Sequence, residues 1–213
     1  MNRNQERPGS AECLESRKLL RHLPNAVSVA RLASTPVLVW MAATGMERPF
    51  SWLLVAALAS DALDGLLARA FSWTSRLGSL LDSLADAVLM LVAAYGVWVF
   101  HYYVFEDHGI VIWAVLGLWA LQHLLAMIRY GRPASFHTRL VRVAVAVFSL
   151  FLVTLFLLDF QPWLFFIAAA LSLAGVSEEL FLILVVPEWT PDLRGGILEV
   201  MQRRKSERPG RPR

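Results

Sequence analysis

Apolar residues in this chain fall in long blocks separated by short polar clusters. Six blocks, at about 24–45, 50–70, 77–100, 109–130, 139–158 and 162–187, each come near the roughly 20 residues that cross a bilayer as a helix. Pro24, Pro49 and Pro162 stand at or just before the starts of three of them, where a missing N–H costs least. Residues 1–23 are polar and basic, with Leu14, Leu19, Leu20 and Leu23 set among Arg17, Lys18, Arg21 and His22. That pattern predicts a short amphipathic helix lying on the membrane surface, with a solvated leader as the alternative. No apolar region followed by a small-residue cleavage site is present there, so no removable signal peptide is expected. After Pro187 the chain turns polar and ends in Arg, Pro and Gly, which predicts a disordered tail. The expected organisation is a leader at 1–23, a six-helix transmembrane domain at 24–187 and a basic cytoplasmic tail at 188–213. The fold class is all-α integral membrane, with six transmembrane helices preceded by an amphipathic juxtamembrane helix.

Composition sharpens this. Of the 213 residues, 57% are hydrophobic and only 17% charged, whereas a soluble domain has about a quarter of its residues charged. A water-soluble enzyme, a disordered chain and a disulfide scaffold are excluded together, the last also because Cys13 is the single cysteine. A net charge of +3 could suggest nucleic acid. The basic residues flank hydrophobic spans, however, and no aromatic-basic RNA motif accompanies them, so they read as orientation signals and as sites for anionic lipid. With the N-terminus in the cytoplasm, nineteen of the twenty Lys and Arg residues fall on the cytoplasmic side and only Arg48 falls outside. The loop at 101–108 holds Glu106 and Asp107 but no Lys or Arg. The positive-inside rule therefore predicts an even number of spans with both termini cytoplasmic. Trp98, Tyr102, Tyr103, Trp113 and Trp163 near the outer boundary, and Trp73 and Trp189 near the inner one, have the spacing of interfacial belts.

Four acids contradict the apolar rule. Asp61, Asp64, Asp82 and Asp86 lie inside hydrophobic spans, where each ionised carboxylate costs roughly 2.5–3.5 kcal/mol at a helix centre. Four would cost on the order of 10 kcal/mol, which polar packing made from Ser, Thr or Asn does not incur. The acids therefore predict a functional cavity. Asp61 and Asp64 are spaced i, i+3 and Asp82 and Asp86 i, i+4, so each pair shares a helix face. The short turn around Phe71–Arg76 makes the two helices antiparallel neighbours. Asp61 precedes Arg69 by eight residues, about 12 Å along a helix, which sets the site toward the cytoplasmic side. Four carboxylates without matched basic partners repel, and divalent cations relieve this. Oxygen donors without Cys or His suit Mg²⁺, Mn²⁺ or Ca²⁺ rather than zinc. Two pairs could hold two metals, the arrangement of two-metal phosphoryl transfer. Gly65, Ala68 and Gly78 leave room for a ligand or for close helix packing. Arg69, one turn beyond Gly65, points to an anionic ligand such as phosphate, or serves as a positive-inside anchor.

Read together, Asp61-Ala-Leu-Asp64-Gly65-Leu-Leu-Ala68-Arg69, eight residues, Gly78, three residues, Asp82, three residues and Asp86 match the D-x2-D-G-x2-A-R-x8-G-x3-D-x3-D pattern at every fixed position. Over these 26 residues, and in its six-span plan, the chain resembles the CDP-alcohol phosphotransferases, and in its general look their phosphatidylglycerophosphate synthase branch. The resemblance implies transfer of a substituted phosphate, usually from CDP-diacylglycerol, to an alcohol with release of CMP. It implies that Asp61, Asp64, Asp82 and Asp86 bind two divalent cations, Mg²⁺ or Mn²⁺, and that Asp86 also takes the proton of the acceptor hydroxyl. Gly65, Ala68, Arg69, Ser75 and Gly78 would line the CDP-lipid site. Leu23-Pro24-Asn25-Ala26-Val27-Ser28 is similar to the family's entry into the first span, which brings in Asn25 and Ser28. Homodimers in the membrane, with no nucleic-acid partner, are expected.

The acceptor is less legible. The link from Arg129 to Arg142 is basic, and Arg132 and Arg139, with Arg31 in the first span, are candidate contacts for a phosphorylated alcohol such as glycerol 3-phosphate; the alternative is an ordinary positive-inside loop. Inositol-phosphate, serine or choline acceptors also fit. Glu178 and Glu179 read as partners for these arginines, and Gln122 with His123 as a helix–helix hydrogen-bonding pair. Two other classes compete. A cation-coupled transporter would use the acids as an ion site, but no internal repeat or broken-helix pair is visible. An aspartate-rich intramembrane prenyltransferase would need a second acidic motif.

Overall fold

The computed structural model describes the backbone of residues 28–71, 76–131, 138–186 and 196, and their side chains outside the stretch 61–83. The leader, Asn25, Ser75, Arg132, Trp73 and the tail apart from Gly196 lie outside the described residues. Six helices occupy this range: α1 (Ser28–Ala43), α2 (Glu47–Phe71), α3 (Arg76–Phe100), α4 (Tyr102–Tyr130), α5 (Arg139–Leu157) and α6 (Pro162–Val185). No strand occurs among the described residues. By length and hydropathy α4, α5 and α6 can each cross a membrane, while α1 and the Leu84–Phe100 part of α3 are shorter apolar helices. Helix α2 carries Glu47, Arg48, Asp61, Asp64 and Arg69. Trp40, Trp52, Ile110, Trp113, Ile128, Trp163 and Leu184 are all exposed. A soluble protein would not present so much apolar surface; the chain is an all-helical integral membrane protein. It divides into two compact units, Met1–Phe100 and His101–Arg213.

In the first unit, α1 ends at Gly45, whose positive φ of 72° closes a helix stop: Gly45 N–H donates to Ala42 O and Met46 N–H to Met41 O. The buried positions of α1 are Ser28, Arg31, Thr35, Leu38 and Ala42, a single stripe that is polar at its start and apolar at its end. Val29, Val37, Val39 and Trp40 face outward. On α2 the buried stripe runs Phe50, Leu54, Ala57, and on α3 it runs Ala85, Leu89, Ala93, Gly96. The two stripes meet where the Phe50 and Phe100 rings lie 5.4 Å apart and where a Cβ on Gly96 would collide with the Phe50 ring. The start of α2 thus touches the end of α3, so the pair is the expected antiparallel hairpin.

The second unit is held by α6. Its start is marked by Pro162 in the first turn, as expected, and Phe151 on α5 lies 5.5 Å from Phe165. At the other end of α5 a Cβ on Gly175 would stand 3.2 Å from Val141 Cγ2, so this pair is antiparallel and close-packed. Helix α4 runs alongside α6 in the same direction. Tyr130 donates to the carbonyls of Ile183 (3.1 Å) and Val186 (2.7 Å), and Arg129 to Val186 (3.4 Å), so the end of α4 caps the end of α6. The segment 101–108, expected as a loop, is helical from Tyr102 and joins α4 across a break at His108 (φ −129°, ψ 18°). Ring packing accounts for it. His108 stacks on Phe160 and Phe165 at 5.4 and 4.9 Å, while His101 and Tyr103 meet Phe156 and Phe160 edge-on. These contacts pull the segment onto the α5–α6 turn and leave α4 proper to begin at Gly109, where the expected span begins.

Candidate active site

Helical register carries the motif. Asp61 and Asp64 continue the stripe Phe50–Leu54–Ala57 along α2, and Asp82 and Asp86 continue the stripe Gly96–Ala93–Leu89 along α3. From the Phe50–Gly96 contact, Asp61 is eleven residues away and Asp86 ten, about 16 and 15 Å along their axes. Asp64 and Asp82 are fourteen residues away each, about 21 Å. In an antiparallel hairpin this sets Asp61 level with Asp86 and Asp64 level with Asp82. By register, the backbone therefore sets the four acids at two adjacent levels along the hairpin. Gly65, Ala68, Arg69 and Gly78 occupy helical positions around them.

Of the four, Asp86 is described to its side chain. Its Oδ1 accepts from Arg31 Nη1 at 2.6 Å; the Arg31 side chain is 0% exposed and that of Asp86 45%. This corrects the premise that the acids have no basic partner: α1 brings an arginine to the last of them. It also changes the standing of Arg31, a candidate for the acceptor's phosphate that here lies buried against the candidate base. Ser28, one turn before Arg31, is buried on the same stripe. Thr35 completes the polar half of that stripe, with its hydroxyl donating to Leu32 O at 2.7 Å. A lone arginine inside an apolar span calls for an acid, but the sequence does not say which of the four it meets.

The other acceptor candidates, Arg132 and Arg139, belong to the second unit. Arg139 opens α5 directly after Thr138, and Arg142 follows one turn on. Thr138 is nearly fully buried; its Oγ1 accepts from Val141 N–H at 3.2 Å, capping the helix, and donates to Glu178 Oε2 at 2.7 Å. Gly196 packs on the Glu178 carboxylate so closely that a Cβ there would overlap it. Glu179, also buried, accepts from the side-chain amide of Gln122, which ties α4 to α6. The cross-helix bond expected of Gln122 and His123 is thus made by Gln122, whereas His123 Nδ1 lies 3.0 Å from Trp119 O one turn back on its own helix. Sequence reading singled out Glu178 and Glu179 but missed Thr138, whose signal was its place as a capping residue just before an apolar helix.

Oxygen-only acids suit hard divalent cations, and the Asp86 side chain is 45% exposed. Among the described side chains alone, no cluster of three metal-ligating residues forms.

Comparison with known proteins bears on this arrangement. Over 74 residues (35% of this chain) the sequence is 46% identical to the chloroplastic CDP-diacylglycerol–glycerol-3-phosphate 3-phosphatidyltransferase 1 of Oryza sativa subsp. japonica, covering 22% of that protein. Over 80 residues (35% of this chain) it is 42% identical to the cardiolipin synthase (CMP-forming) of Streptomyces coelicolor, covering 37% of that protein. The chain thus spans well under half the length of these curated relatives. No solved structure matches it significantly. The profile of the CDP-alcohol phosphatidyltransferases matches residues 21–174, a stretch that takes in Arg31, the whole motif from Asp61 to Asp86 and both units of the fold; the chain belongs to that family.

Proposed function

We propose that this protein transfers the phosphatidyl group of CDP-diacylglycerol to an alcohol, with glycerol 3-phosphate as the acceptor, releasing CMP in phospholipid biosynthesis. The carrying observation is the level pairing of Asp61 with Asp86 and of Asp64 with Asp82 along an antiparallel hairpin, inside a chain of this family. Asp61, Asp64, Asp82 and Asp86 would hold two divalent cations, Mg²⁺ or Mn²⁺. Bound there, such ions neutralise the diphosphate and stabilise the departing CMP. The Asp86 carboxylate takes the acceptor hydroxyl's proton as the oxygen attacks the β-phosphorus; a new O–P bond forms, and the bond from that phosphorus to the CMP oxygen breaks. Asn25, Ser28, Gly65, Ala68, Arg69, Ser75 and Gly78 contact the CDP-lipid. Arg132 and Arg139 draw a phosphorylated acceptor to the start of α5. The enzyme works as a homodimer, spans the membrane six times and keeps both termini in the cytoplasm of a bacterial cell.

The glycerol 3-phosphate reading is supported by the name of the rice relative. The name of the Streptomyces relative favours a second acceptor, since CMP-forming cardiolipin synthesis passes a phosphatidyl group to a lipid alcohol. Purified protein supplied with labelled CDP-diacylglycerol and Mn²⁺ should release CMP and form a lipid product when glycerol 3-phosphate is added. Product with phosphatidylglycerol, inositol phosphate, serine or choline alone would replace the acceptor. No CMP release with any alcohol would reject the reaction.

A further inference from the structure

We propose that Arg31 is a positioning residue for Asp86, holding the carboxylate that takes the acceptor's proton, and not a ligand of the acceptor's phosphate. The inference rests on the reaction proposed above and assigns a role within it to the first helix.

Three observations carry it. The Arg31 side chain is wholly buried while the Asp86 side chain is nearly half exposed. The arginine therefore approaches from the protein interior, while nearly half of the Asp86 side-chain surface stays accessible. The contact of 2.6 Å from Nη1 to Oδ1 is a short charge-assisted hydrogen bond, and holding Oδ1 fixes the rotation of the whole carboxylate about its own axis. Third, Arg31 does not stand on a loose element. It lies on the stripe from Ser28 to Ala42, between buried Ser28 and Thr35, so its backbone is set by packing along the whole of α1. The guanidinium is wholly buried, so a water-soluble phosphate does not reach it in this arrangement. General bases act efficiently only within hydrogen-bond reach of their proton, so a carboxylate free to rotate spends little time in the productive orientation.

The two roles separate in steady-state kinetics. Arg31→Gln, Arg31→Lys, Asp86→Asn and the double variant Arg31→Gln/Asp86→Asn are compared in mixed micelles of detergent and CDP-diacylglycerol at saturating Mn²⁺, with glycerol 3-phosphate varied. Binding of CMP in the presence of Mn²⁺, read by calorimetry, reports whether each variant keeps its nucleotide site. The expected result for Arg31→Gln is a kcat lowered about 30-fold or more with the KM for glycerol 3-phosphate within about threefold of wild type. Arg31→Lys, which keeps the charge but not the planar fork, should lose less. The double variant should be no slower than Asp86→Asn, because two residues acting as one unit are not additive. A rise in acceptor KM of about tenfold with kcat preserved would overturn the proposal in favour of phosphate binding, as would losses that multiply in the double variant. Should Arg31→Gln fail to fold, the Lys variant decides by the same split between kcat and KM. A wild type that neither binds CMP nor releases it with any alcohol rejects the reaction and this inference together, whereas an active wild type with an acceptor-KM defect rejects the inference alone.

Discussion

At the scale of single residues, charge and hydrogen bonding decide more here than apolar burial does. Asp86 and Thr138 make the point with opposite consequences. Replacing Asp86 by Asn keeps volume and removes the proposed base, so CMP release should fall about 10²- to 10⁴-fold while the protein remains monodisperse in detergent. Retention of wild-type turnover would remove Asp86 from the base role. Thr138→Val also keeps volume but deletes both the cap to Val141 N–H and the bond to Glu178. It should cost about 1–2 kcal/mol, seen as a lower unfolding temperature, because a helix cap and a buried hydrogen bond are each worth about 1 kcal/mol. The effect should fall on stability and on acceptor KM through Arg139, and spare CMP binding.

At the scale of elements, the hairpin of α2 and α3 is the unit that gathers the acids, and Gly96 lets it close. In a bilayer, helix association gains little from the hydrophobic effect and depends on close packing, which small residues permit. Gly96→Ala should displace the Phe50 ring, part the helices and lower both the unfolding temperature and activity. Pairing it with Phe50→Leu should return part of the loss; strictly additive losses would show that the contact does not set the hairpin. Much of this was legible in the chain alone. Hydrophobic blocks gave helix limits to within a few residues, because apolar length is a strong signal where backbone groups must bond within their own segment. The i, i+3 and i, i+4 spacing placed each acid pair on one face. Partners distant in sequence were not legible. Arg31 with Asp86, Thr138 with Glu178 and Gln122 with Glu179 are 55, 40 and 57 residues apart, and periodicity carries no information about which stripe meets which. The helical start at Tyr102 was hidden for another reason: its stability comes from ring contacts with Phe156 and Phe160, residues well downstream.

At the scale of the whole molecule, orientation and metal dependence are the properties open to test. Cys13 is the single cysteine, so a Cys13→Ser background permits one reporter at a time. In intact cells a membrane-impermeant maleimide should label Asp159→Cys in the exposed α5–α6 turn and leave native Cys13 unlabelled until the membrane is opened. The reverse pattern would invert the topology that the arginine distribution predicts. Chelation by EDTA should abolish CMP release, with Mg²⁺ or Mn²⁺ restoring it; activity that survives exhaustive chelation would remove the metals from the proposal.

The uneven charge of the six helices bears on how the protein is made. Helices α4, α5 and α6 can leave the translocation channel one by one, since lipid accepts each alone. Helix α2, with carboxylates at 61 and 64, pays roughly 2.5–3.5 kcal/mol for each if it enters lipid by itself. With four residues separating it from α3, the cheaper course is to wait at the ribosome's exit until α3 has emerged and then to partition as a pair. Its membrane integration during synthesis, followed by glycosylation tags on stalled nascent chains, should begin only once the chain has grown past α3.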